Sequence, residues 1–199
     1  MFQITAAKVI IIDMQDVKRM IGANWDGKSP VLLGYSGGPD SKALLYALLD
    51  CKAPIHIAHV DHGWRESSRK EALELKAEAE SLNLPFHTIR LESCETRNLE
   101  AHARDQRLAF FQSLFEKIPF QALLLAHQRD DLAETALKRI FEGAHLPFLG
   151  GMSSISQYEG MPIWRPLLAT PRDEILRFLN ERKLRAIDDP TNRDPKFLR

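Results

Sequence analysis

The sequence predicts an α/β fold built on a doubly wound parallel sheet, on three observations. Short apolar runs alternate with amphipathic segments, the runs end in glycine-rich or polar turns, and the chemically versatile side chains gather at those ends. Strands separated by helices pair in parallel through right-handed crossovers. Sheets of this kind bind ligands beyond the carboxyl ends of their strands.

The elements follow in chain order. Val9–Ile12 is a short apolar run. Asp13–Trp25 reads as a lead-in helix with Val17, Met20 and Ile21 on one face. Gly27, Ser29 and Pro30 turn the chain into a buried strand at 31–35. Residues 1–28 are therefore read as a lead-in segment and 29–199 as one domain, a size that allows a substantial core. Lys42–Leu49 reads as a helix and Ile55–Val60 as a second strand. Ser68-Arg69-Lys70-Glu71 is a capping box opening a helix through Leu82. Phe86–Leu91 is a third strand, and Asn98 caps a helix to about Phe115. Ala122–Ala126 is a strand and Asp130–Phe141 a helix. Gly150-Gly151-Met152 reads as a turn, Trp164-Arg165-Pro166-Leu167-Leu168 as a strand end, and Asp189-Pro190-Thr191-Asn192 as a turn. Thr170-Pro171 opens a last helix with Ile175, Leu176, Phe178 and Leu179 on its apolar side.

Composition narrows the class. Lys+Arg and Asp+Glu both number 27, so the formal net charge is zero. That argues against a broad electrostatic nucleic-acid binder, although a local basic groove remains compatible. Cys51 and Cys94 form no CxxC pair and indicate neither a metal site nor a disulfide framework. The absence of a long apolar stretch or a basic leader predicts a cytoplasmic protein without a membrane association.

Three motifs carry chemistry. Ser36-Gly37-Gly38-Pro39-Asp40-Ser41 lies between a strand and a helix. Glycines let the backbone approach a phosphate, and the free N–H groups and dipole of the helix face it. Pro39 suits the first helical turn, where no donor is needed. Ser36 and Ser41 add hydroxyl donors, and Asp40 is the candidate for holding Mg²⁺ on the phosphates. The Gly-Lys-Ser/Thr ending of a Walker loop is absent. The second motif, His59-Val60-Asp61-His62-Gly63-Trp64-Arg65, is a polar strand exit; alternation puts His59 and Asp61 on one face, and Asp61 and His62 are candidates for lining a nucleotide site. The third, Ala126-His127-Gln128-Arg129-Asp130-Asp131-Leu132-Ala133-Glu134-Thr135, sets Asp131 and Glu134 one turn apart. Acids converging there would repel one another unless a cation, either magnesium or a substrate ammonium, is supplied. Glu100, Arg104 and Arg107 share a helix face, as a surface salt-bridge ladder or as a clamp for phosphate or carboxylate.

The first motif resembles the PP-loop of the N-type ATP pyrophosphatases. All the motifs together, in order from Ser36 to Asn192 and including Asn98–Arg107, Arg165–Leu168 and Asp189–Asn192, resemble the tRNA(Ile)-lysidine synthetase family. That family usually has His where this chain has Gln128, and Leu where it has Trp64. The resemblance implies a Rossmann-like domain of the adenine nucleotide alpha hydrolase type. It implies a ligase that uses ATP and Mg²⁺ to join L-lysine to C2 of the wobble cytidine of an isoleucine tRNA with a CAU anticodon. ATP would be held by Ser36–Ser41 with His59, Asp61 and His62, and lysine by Arg107, Asp131 and Glu134. Asp40, His127, Asp131, Glu134 and Arg107 would carry catalysis, with Arg104 and Arg165 as tRNA or phosphate contacts. The family's downstream tRNA-binding domains are expected to be missing from this chain, and a homodimer is compatible with the sequence. A cytidine thiolase-like PP-loop enzyme, or an ATP-binding module without turnover, is the alternative.

Overall fold

The computed structural model describes residues 14–63, 68–91, 99–141, 143 and 151–187. Val9–Ile12, Trp64, Arg65, Cys94, Asn98, Gly150 and Asp189–Asn192 lie outside them. The elements are α1 (Gln15–Asn24), β1 (Val31–Gly34), α2 (Pro39–Asp50), β2 (Ile55–Asp61), α3 (Ser68–Ser81), β3 (Phe86–Arg90), α4 (Leu99–Phe115), β4 (Leu123–Leu124), α5 (Arg129–Phe141), β5 (Ile155–Tyr158), β6 (Met161–Trp164) and α6 (Arg172–Glu181). They form a six-stranded sheet of order β3-β2-β1-β4-β6-β5. Every neighbouring pair is parallel except β5–β6.

The chain winds outward from β1 to β2 and β3, then crosses back to β4 on the other side of β1. The strand order therefore reverses between β1 and β4, which opens a crevice beyond their carboxyl ends. β1 and β4 are apolar on both faces, as central parallel strands must be. Leu33, Ile55, Ile57, Leu124 and Trp164 pack on one face with α1, α2 and α6. Leu32, Ala58, Leu123 and Ile163 pack on the other against Phe111 and Leu114 of α4. The period-2 alternation thus splits one set of strands between two cores.

Most elements stand within a residue or two of their expected bounds. β4, however, is only two residues long, where five were expected. The β5–β6 hairpin was expected only as a strand end near Trp164. Its signal is the two-residue turn Glu159-Gly160, both at positive φ (44° and 84°), a hairpin geometry that matches strand twist. Among the described residues no helix is long and apolar enough to cross a membrane.

Candidate active site at the reversal of strand order

Loop Ser36–Gly38 leaves β1 and enters α2, whose first residue is Pro39 and whose N-cap is Gly38. Gly37 adopts φ +79°, and a Cβ there would meet Leu75 Cδ2 at 2.6 Å and Ile187 Cδ1 at 2.9 Å. Only glycine fits both the conformation and the space. Ser36 Oγ and Ser41 Oγ lie 3.2 Å apart, and Ser41 Oγ donates to the Gly38 carbonyl at 3.1 Å. The two hydroxyls therefore shape the loop while keeping further hydrogen-bonding capacity.

Asp40 stands in the first turn of α2 with Oδ1 buried and without a hydrogen-bond partner. Its other oxygen lies 3.7 Å from Arg172 Nη1, at the start of α6. Burial is the main cause that raises the Asp40 pKa; Arg172 opposes it, and the carboxylates of Asp131 and Asp130 add to it. The acids at the start of α5 are thus near enough to Asp40 for their charge to act on it. The orphaned buried oxygen of Asp40 fits a hard divalent cation such as Mg²⁺, but among the described residues no group of three His, Cys, Asp or Glu side chains is placed to hold a metal ion, so Asp40 is the candidate ligand by itself. Arg172 escaped sequence reasoning because only the fold brings α6 to α2.

The entry to α5 uses its polar residues on itself as well. Gln128, buried, accepts from Asp130 N–H at 2.9 Å, and Asp131 Oδ2 accepts from Gln128 N–H at 2.9 Å. This is a reciprocal capping box with glutamine as the cap. It leaves Asp131 with one oxygen committed to the helix start. Glu134 is exposed one turn on, and His127 precedes the cap half-buried.

On the β2 side, His59 is buried and stacked on Phe86, and its Nδ1 lies 2.9 Å from the Tyr35 carbonyl. A carbonyl only accepts, so Nδ1 carries the proton. His59 thereby ties β2 to the residue preceding the loop. Asp61, also buried, accepts from Gly63 N–H at 2.8 Å and lies 3.9 Å from Arg90 Nε. His62 is half-buried. Burial first, then the charges of Arg107 and His59, lower its pKa against the pull of Asp61. Arg107 of α4 is thus brought to the strand exits, whereas Arg104 is exposed. Arg165 follows β6; its Nη1 donates to the Ser153 carbonyl at 2.9 Å and to Ser156 Oγ at 2.8 Å, bracing the β5–β6 hairpin.

Residues 12–199 match the PP-loop domain family. The chain belongs to the PP-loop family. It is 41% identical over 191 residues to a tRNA(Ile)-lysidine synthase of Protochlamydia amoebophila, covering 94% of this chain and 42% of that protein. With a tRNA(Ile)-lysidine synthase of Chlamydia felis it shares 42% identity over 176 residues, covering 87% and 56%. The chain spans about half the length of the curated relatives it matches. Among solved structures it is similar to the tRNA thiolase NcsA from Methanococcus maripaludis (TM-score 0.73, 20% identity, 89% of this chain and 64% of that one). It is also similar to an NMN synthetase from Francisella tularensis (TM-score 0.57, 13% identity, 87% and 70%). These two likenesses concern the fold.

Proposed function

We propose that this chain is a catalytic domain that ligates L-lysine to C2 of the wobble cytidine of isoleucine tRNA bearing a CAU anticodon, converting ATP to AMP and pyrophosphate. The observation that carries this reading is the meeting of two helix starts at the β1/β4 crevice. One bears a phosphate-type loop and Asp40; the other bears Asp131 and Glu134. The named relatives at about 40% identity point the same way.

In this mechanism the backbone N–H groups of Gly37 and Gly38 and the hydroxyls of Ser36 and Ser41 hold the phosphates of ATP at the α2 N-terminus. Asp40 would hold Mg²⁺, which when bound offsets phosphate charge in the crevice. The cytidine C2 carbonyl oxygen attacks the α-phosphorus and pyrophosphate leaves, which gives an adenylated base. The lysine ε-nitrogen then forms a bond to C2 and the C2–O bond breaks, releasing AMP with that oxygen. Glu134 and the free oxygen of Asp131 receive the ammonium groups of lysine, and Arg107 its carboxylate. The attacking nitrogen must first lose a proton, and His127 or a carboxylate is the acceptor in this reading. Arg104 offers an exposed cation to the tRNA backbone. Arg165 is a phosphate contact through whatever guanidinium capacity the hairpin leaves.

The test is incorporation of labelled lysine into CAU-anticodon isoleucine tRNA, with AMP and pyrophosphate followed in parallel. ATP-dependent label that disappears on changing the anticodon is the expected result. Pyrophosphate release without label would place the lysine step elsewhere, and the absence of both signals would refute the reading.

A further inference from the structure

Beneath the phosphate-type loop lies a buried polar cluster that the mechanism above does not use. Lys42, in the first turn of α2, is only 8% exposed. Its Nζ lies 2.9 Å from Glu78 Oε1 on α3 and donates to the Arg185 carbonyl at 2.6 Å. Glu78 also accepts from Tyr35 OH at 2.7 Å and from Tyr46 OH at 3.4 Å. Burial, together with the Glu78 carboxylate, raises the pKa of both tyrosines, which keeps them as donors. Two residues beyond Arg185, the Ile187 N–H donates to the Gly37 carbonyl at 2.9 Å, and the Ile187 side chain fills the space beside Gly37.

Apart from the Tyr46 bond, which comes from the middle of α2, these contacts end on the loop or on its immediate flanks. Tyr35 precedes Ser36, Lys42 follows Ser41, and Gly37 lies between them. The other ends belong to α3 and to segment 185–187, which has no regular secondary structure. A buried ion pair is weak evidence for stability, since an apolar pair of similar volume often replaces it at no cost. Its directional contacts nevertheless fix geometry, which an apolar pair does not.

We infer that Lys42 is a positioning residue. Through Glu78 and the Arg185 carbonyl it latches segment 185–187 onto the loop, and that latch holds Gly37 in its left-handed conformation with the loop N–H groups aimed outward. The inference rests on the reading of the loop as a nucleotide-phosphate site, so it is tested once with nucleotide and once without.

The variants are the paired replacement Lys42→Met with Glu78→Leu, which leaves no lone buried charge, and Ile187→Pro, which removes the donor to Gly37 without touching the ion pair. The readouts are amide hydrogen exchange on the ligand-free chain and ATP affinity by titration in the presence of magnesium. The expected result is at least tenfold faster exchange at position 35 and at position 42, whose N–H groups donate to the Ala58 and Gly38 carbonyls at either end of the loop, with Ile57 in β2 unchanged, and about tenfold weaker ATP binding in both variants. Exchange and affinity within twofold of the unaltered chain would overturn the latch. If the unaltered chain binds no ATP while loop exchange still accelerates in the variants, the latch stands and the nucleotide reading falls. A paired variant that does not fold leaves Ile187→Pro to decide by the same two readouts.

Discussion

α2 and α5 invite comparison, because both begin at the carboxyl end of a central parallel strand and both point their N-termini into the same crevice. α2 buries Ser41, Lys42, Ala43, Leu44, Leu45, Ala47 and Leu48. α5 buries none of its residues and leaves Leu137, Ile140 and Phe141 at 53%, 51% and 86% exposure. Hydrophobic burial, which dominates helix stability in proteins, is concentrated on one side of the crevice. The phosphate-type loop is held by a packed helix, by α3 and by segment 185–187. The acidic helix opposite is held mainly at its own start, by the Gln128–Asp131 capping box and by Arg129 N–H donating to the Thr170 carbonyl. A rigid cradle on one side and a lightly anchored helix on the other suit a site that fixes one substrate while admitting others in sequence.

The sharpest way to break this comparison is at Asp40. Asp40→Asn should reduce pyrophosphate release by about 10²–10³-fold, the scale on which an electrostatic contact at a developing charge acts. It should also raise the melting temperature of the ligand-free chain. The folded pKa of Asp40 lies above its ordinary 3.8, so the favourable contribution of its neutral form is lost as pH rises through the folded value. At pH 7 the ionised carboxylate therefore costs stability, and asparagine removes that cost. A lower melting temperature would show that Arg172 outweighs burial.

Next in size, Glu134→Gln should weaken lysine binding about 10–100-fold, the worth of a charge-assisted hydrogen bond, and leave pyrophosphate release intact. Equal loss of both steps would remove the division of labour between the two helices. Core truncation compares the helices directly. Leu44→Ala should cost about 2–5 kcal/mol in denaturant unfolding. Leu137→Ala should stay within about 0.5 kcal/mol. Similar costs would mean that α5 is packed as firmly as α2.

The smallest effect lies away from the crevice. His56 Nδ1 and His87 Nε2 are 3.0 Å apart with stacked rings, and Phe120 sits edge-on to His56. Burial first, then His87 for His56 and Lys117 for His87, lowers both pKa values below 6.5. Below that pH the unfolded chain takes up protons that the folded chain refuses, so stability should fall as pH drops from 6.5. His87→Gln should flatten that decline in melts between pH 7 and pH 5; an unchanged slope would discount the pair.

Much of this was legible in the residues because the governing physics is local. The apolar runs specified β1 to β3. Pro39 marked the start of α2, and the 3.6-residue period of Ile175, Phe178 and Leu179 marked the buried face of α6; α3 does begin at Ser68, but the expected capping box is not formed, because the Ser68 hydroxyl has no hydrogen-bond partner. Ser36–Ser41 announced a loop because only glycine tolerates φ +79° at Gly37. The short β4 and the β5–β6 hairpin were harder to see, since cross-strand neighbours rather than intrinsic preference decide which residues pair.

Individual roles within the site belong to the tertiary structure. Asp131 gives one carboxylate oxygen to the Gln128 backbone N–H because the helix starts there. His59 went to the Tyr35 carbonyl because register places β2 beside β1. Arg172, Glu78 and Ile187 reached Asp40, Lys42 and Gly37 from 132, 36 and 150 residues away in sequence, respectively. Sequence by itself determined which chemical groups the strand ends carry, because those are set by composition and periodicity. Only the folded chain decided which of them meet, because long-range proximity, burial and partial charge exist only once the sheet has ordered its strands.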